Sequence, residues 1–88
     1  MSDLTDLPEI GTVTARQLVA VGIGDAATLR RVGAVEAFAR IRGQLDPGAC
    51  LHLFTGLECA VRGISARQLS PEDRAELRAS FQAIAPGT

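Results

Sequence analysis

Few side chains in this sequence could do chemistry on their own. There is one His, His52, and there are two Cys, Cys50 and Cys59, in 88 residues that hold nine Arg, ten Asp plus Glu, and no Lys or Tyr. Catalysis needs a nucleophile beside a base, convergent groups of shifted pKa, or a metal ion. Cys50 and Cys59 fall nine residues apart on what reads as one helix. At about 100° per residue they point half a turn away from one another, roughly 13 Å apart along the axis. That spacing excludes an intrachain disulfide. His52 and Cys59 are seven residues apart, about two helical turns and too far to share a metal ion. The carboxylates are spread along solvent faces, and Glu58 is spaced i,i+4 from Arg62 for an ion pair. No catalytic residue, metal site, cofactor or small-molecule substrate is expected, and the chain does not read as an enzyme.

The chemistry that remains is anion recognition by backbone. The run Leu7-Pro8-Glu9-Ile10-Gly11, followed by Thr12, Thr14 and Arg16, has the outline of a helix-hairpin-helix. In such a hairpin a Gly-apolar-Gly turn presents free N–H groups at the start of the next helix, where they and the helix dipole favour a phosphate. Contacts of that kind hold the DNA backbone without reading bases. Here Glu9 stands at the first Gly position, where a carboxylate would repel a phosphate, and no Lys follows the hairpin. The candidate nucleic-acid contacts are therefore Gly11, Thr12, Thr14 and Arg16, with Arg30 and Arg31 from the densest basic stretch, which also contains Arg40 and Arg42.

A shift of 22 residues aligns Leu7 with Leu29, Ile10 with Val32, Gly11 with Gly33, Val13 with Val35, Ala15 with Ala37 and Val19 with Ile41. These six pairs suggest two similar units packed side by side.

The elements that must carry these residues are helices. Gly and Pro punctuate the chain, apolar residues between them recur at three- and four-residue intervals, and no stretch alternates with period two. The spacing predicts a helix over 12–21 with Ala15, Leu18, Val19 and Val21 inside, and a short one after the N-cap Asp25. A third is expected from Ala34, with Val35, Phe38 and Ile41 inside, stopping at Gly43. Residues 50–62 form the most apolar helix and are expected at the centre. Its far side carries Gly56 and Cys59, with Gly63 just beyond, small residues that form a candidate interface for another helix or chain. Ser70, Pro71 and Asp73 announce a last helix with Leu77, Phe81 and Ile84 inside, and the tail 85–88 should fray. The fold class is all-α: a small bundle of five or six short helices containing one or two helix-hairpin-helix-like units. One domain is expected over 1–88, with paired hairpin units in 1–43 and two longer packing helices in 49–85.

With 47% hydrophobic and 22% charged residues the chain is too apolar to be disordered. A net charge of −1 provides no global field toward nucleic acid. No apolar run is long enough to span a bilayer, and Asp3, Asp6 and Glu9 stand where a signal peptide would be basic. A cytoplasmic protein with no membrane contact is expected.

Three segments together resemble the C-terminal domain of the TfoX/Sxy family of bacterial competence regulators. They are Leu7 to Gly11 with the later Val21-Gly22-Ile23, the run Leu29-Arg30-Arg31-Val32-Gly33-Ala34-Val35-Glu36-Ala37-Phe38, and Leu57-Glu58-Cys59-Ala60-Val61-Arg62-Gly63 ahead of Leu69-Ser70-Pro71-Glu72. The resemblance covers nearly the whole chain. It implies an all-helical domain that commonly follows an N-terminal α/β domain and takes part in switching on DNA-uptake genes alongside a cyclic-AMP-responsive activator. This chain is expected to be a stand-alone module without that companion, and Ser65-Ala66 replaces the family's usual His-Trp pair. The function expected is a non-enzymatic regulatory interaction module acting through a protein partner or self-association. The alternative is sequence-independent binding of the DNA backbone.

Overall fold

The computed structural model describes residues 3–84; the tail expected to fray lies outside them. Five α-helices follow one another: α1 (Thr12–Ala20), α2 (Ala26–Val32), α3 (Ala34–Gln44), α4 (Leu51–Arg62) and α5 (Pro71–Ile84). Single 3-10 turns precede α1 at Asp3–Asp6 and join α4 to α5 at Ala66–Gln68. There is no strand among the described residues, so the fold is an all-α bundle, as the periodicity predicts.

Local rules account for most of the helix ends. Asp25 caps α2 by accepting the Thr28 N–H at 2.7 Å, and hydrogen bonding from the Thr28 side chain, then from its N–H, holds the Asp25 carboxyl below the ordinary Asp range. At the start of α5 the Ser70 hydroxyl accepts the Asp73 N–H at 3.0 Å while the Asp73 carboxylate accepts the Ser70 N–H at 3.1 Å, the reciprocal box the sequence announced. Helix α1 ends in a Schellman pair, Ile23 N–H to Leu18 carbonyl at 2.8 Å and Gly22 N–H to Val19 carbonyl at 3.0 Å. Glu58 and Arg62 pair at 2.6 Å on α4, and Arg62 reaches on to Asp73 of α5 at 3.3 Å. The start of the chain is tied in as well, because the Asp3 carboxylate accepts the Ala26 N–H of α2 at 3.2 Å.

The sequence placed α4 at the centre, yet α3 is the helix that packs against each of the other four. Its inner face explains why. Ala34 and Ala37 let neighbouring backbones approach closely, while Phe38 and Ile41 fill the space around them, all buried. Phe38 meets Phe54 of α4 edge-on at 5.4 Å and Phe81 of α5 at 5.7 Å, so all three Phe of the chain form one aromatic cluster joining three helices. Edge-to-face pairs of this kind add about 0.5–1.5 kcal/mol beyond the area they bury.

Three local expectations fail. Helix α3 runs through Gly43 to Gln44, because Leu45 and Asp46 both donate to the Ile41 carbonyl at 2.9 Å and extend the helical pattern past the glycine. Val19 and Val35, expected inside, are 56% and 52% exposed. On α1 the inward face is centred on the fully buried Leu18, which leaves Val19 beyond its edge, and Val21 and Ile23 supply the burial instead. The 22-residue echo still holds in burial: Leu7 and Leu29 are buried, as are Ala15 and Ala37, Val13 and Val35 are both exposed, and Gly11 and Gly33 cap α1 and α3. It breaks at Val19 and Ile41, exposed and buried respectively.

Candidate interaction surface

Helix α1 is the element that sorts the candidate contacts. Gly11 is its N-cap with extended backbone and no side-chain cap bond, so the first N–H groups of the helix receive no capping side chain from it. Thr12 and Arg16 are exposed and Thr14 is half-buried. At about 100° per residue Arg16 falls at the middle of the solvent face. Val13 and Ala20 flank it on one side and Thr12 and Val19 on the other, all exposed. The result is a cation set among aliphatic side chains, with Val13 67% and Val19 56% exposed.

Glu9 does not sit as the sequence suggested. Its φ is +66°, the left-handed conformation that the missing glycine would have adopted freely. Its carboxylate turns across the fold and accepts the Ala66 N–H at 3.1 Å. The Ala66 carbonyl is gripped in turn by Arg74 of α5 at 2.7 Å. The negative charge is thus engaged 57 residues away in sequence rather than left at the mouth of α1.

The remaining candidates fall into two places. Arg30 and Arg31 are exposed in the last turn of α2. They lie on a different helix from Thr12, Thr14 and Arg16, each of the two helices packing on α3. Arg40 is committed elsewhere, paired with Glu36 at 2.8 Å and donating to the Val21 carbonyl at the end of α1 at 3.2 Å. On α4 the three small residues differ. Gly63 is exposed and left-handed at φ +75°, Gly56 is half-buried, and Cys59 is fully buried. A Cβ on Gly56 would meet the Glu9 carbonyl oxygen at 3.5 Å, so the hairpin turn itself lies against this face. Burial pushes the Cys59 thiol up, and the nearby Glu9 charge adds to the effect. Cys50, by contrast, is exposed as the N-cap of α4.

An open groove of about 620 Å³ runs between the hairpin turn, α1 and the first half of α4, with Glu9, Gln17, Leu53 and Arg74 among its walls. Among the described residues no group of His, Cys, Asp or Glu could hold a metal ion, and no helix is long and apolar enough to cross a membrane.

Sequence reasoning missed the exposed Val13 and Val19 and the Glu9 bond. The echo marks Val13 and Val35 as alike, but the spacing places Val35 inside, so their shared exposure is not announced; Gly56 inside a helix signals a close approach without saying by what.

Comparison with known proteins extends these observations. The chain is 31% identical over 77 residues to the DNA transformation protein TfoX of Haemophilus influenzae, a match covering 88% of this chain and 35% of that protein. It therefore spans about a third of that relative's length. Two crystal structures from Listeria monocytogenes share the fold. One is an uncharacterized protein in a triclinic form, 35% identical with a TM-score of 0.87 over 94% of this chain and 93% of that one. The other is a protein of unknown function in a tetragonal form, 36% identical with a TM-score of 0.85 over 92% and 99%. Residues 1–81 match the TfoX C-terminal domain, and the chain belongs to that family.

Proposed function

We propose that this domain is a regulatory module in the control of DNA uptake, acting through a protein partner rather than through catalysis. Membership of the TfoX C-terminal family and the name of the Haemophilus relative support the pathway. The observation that carries the mode of action is the solvent face of α1, where Arg16 lies between Val13 and Val19. Arg is enriched and Lys depleted at protein interfaces, and covering the exposed valines beside Arg16 would remove apolar surface from water. A photo-crosslinking residue at position 13 or 19 of the domain, expressed in competence-induced cells, tests the reading. Covalent protein adducts at these positions and none at the exposed Ala27 of α2 are expected. Equal labelling at all three, or adducts to DNA alone, would contradict it.

A second reading, backbone contact with DNA through Gly11, Thr12, Thr14 and Arg16 helped by Arg30 and Arg31, is favoured by the engagement of Glu9 with Ala66. That bond directs the carboxylate toward Ala66, which lessens the local repulsion raised by the sequence without removing the charge. Binding of this kind falls steeply with salt, because released counterions drive it. Fluorescence anisotropy with a labelled duplex across a salt series reads it directly. A salt-dependent affinity lost in Arg16→Ala and Arg31→Ala supports it, and absence of binding at low salt removes it.

A further inference from the structure

We infer that the occupant of the α1 face is an amphipathic helix of a partner protein, with a carboxylate that pairs with Arg16 set between two aliphatic side chains. This rests on the reading of α1 as the contact surface and specifies what covers it. Val13, Arg16 and Val19 follow one another at three-residue intervals and are all exposed. They form a stripe about 9 Å long that turns through about 120° of the helix surface. A surface that covers both valines passes over the Arg16 side chain between them.

That position decides the chemistry. Removing Val13 and Val19 from water favours contact, but the same contact takes the Arg16 charge out of water as well. Arg does not lose its proton in a protein, and a charge covered without a counter-charge is strongly unfavourable. Nothing in the domain supplies that counter-charge. Among the described residues Arg16 forms no ion pair, and it is the only ionisable side chain on α1. The segment 12–44 holds five Arg against two carboxylates, Asp25 and Glu36, a net charge of +3 in a chain whose total is −1. Asp25 is committed to the cap of α2 and Glu36 to Arg40. The carboxylate therefore comes from the partner. A helix lying along α1 presents side chains three and four residues apart on one face, so aliphatic, acidic and aliphatic residues in that order match the stripe in length and in charge. A phosphodiester backbone would satisfy Arg16 and leave both valines against polar atoms, which favours an acidic helix over DNA.

Photo-crosslinking at position 13 or 19 in competence-induced cells, with the attached peptide sequenced by mass spectrometry, identifies the occupant. That peptide should carry Asp or Glu three or four residues from aliphatic side chains. A synthetic copy, followed by fluorescence anisotropy, should bind the wild-type domain and lose roughly thirtyfold or more in affinity with Arg16→Gln, because its acid is then covered without a partner. Changing that acid to its amide should recover much of the loss, and Arg16→Lys, which keeps the charge, should cost far less than Arg16→Gln. Circular dichroism checks that both variants keep the wild-type fold, as an exposed side chain without an ion pair should allow. Protein adducts whose peptide lacks a carboxylate, or a loss with Arg16→Gln of only about threefold, as for an exposed pair, overturn the inference and leave the α1 reading standing. Adducts to DNA alone, or no protein adduct at either position, overturn both.

Discussion

Gly11 and Gly33 occupy matching places in the two halves of the 22-residue echo, and the structure predicts different outcomes when each becomes Ala. Gly11 has φ −94° and ψ −177°, ordinary extended backbone, and nothing lies within 4 Å of a Cβ built there. Gly33 has equally open space around it but sits at φ +89° and ψ +162°, a region essentially closed to residues with a Cβ. Strain at such a position costs about 1–3 kcal/mol. Replacing glycine also removes freedom from the unfolded chain, which stabilises by about 0.4–1 kcal/mol. Gly33→Ala should therefore lose about 1–2 kcal/mol. For a domain of this size that corresponds to roughly 4–15 °C in Tm. At Gly11 the same entropy gain is set against a slightly poorer N-cap, and the net change should stay within about 0.5 kcal/mol. The chain has no Trp or Tyr, so urea unfolding is best followed by far-UV circular dichroism. Equal midpoints for the two variants would refute the assignment of strain to the α2–α3 junction.

The aromatic cluster and the α5 cap make two further predictions. Phe38 is fully buried against Phe54 and Phe81, so Phe38→Ala should cost about 3–5 kcal/mol, against a total of roughly 4–13 kcal/mol for a chain of this length. Thermal denaturation should show a drastic fall in Tm, with Phe38→Leu much milder. Asp73 has its carboxyl held below the ordinary range by its bonds to Ser70 and then by Arg62. As pH falls, the unfolded chain takes up this proton first. The stabilisation is therefore complete above the ordinary Asp range and is lost as pH drops through the lower folded-state value. The stability gap between wild type and Asp73→Asn, measured by urea titration at several pH values, should be constant near neutrality and close in acid.

Much of the helical architecture was legible because it is written locally. The Asp25 cap, the Ser70–Asp73 box and the Glu58–Arg62 pair each join residues three or four apart, and all form. What could not be read depended on partners distant in sequence. Nothing near Glu9 announces that its carboxylate will reach Ala66, or that its backbone carbonyl will lie against Gly56 of α4. The exposure of Val19 follows from where α3 meets α1, a choice of face that a short helix bearing several valines and leucines leaves open. For the same reason the sequence named Gly11, Thr12 and Arg16 on α1 but took Val19 as core.

The most direct test of the protein-contact account replaces the matched third of the Haemophilus protein with this domain and measures transformation frequency. The account predicts that the exchange supports transformation. Val13→Ser with Val19→Ser should abolish it while leaving Tm nearly unchanged, and Arg30→Ala with Arg31→Ala should preserve it. Transformation that survives the serine pair and fails with the alanine pair would contradict the account and transfer the function to the DNA backbone.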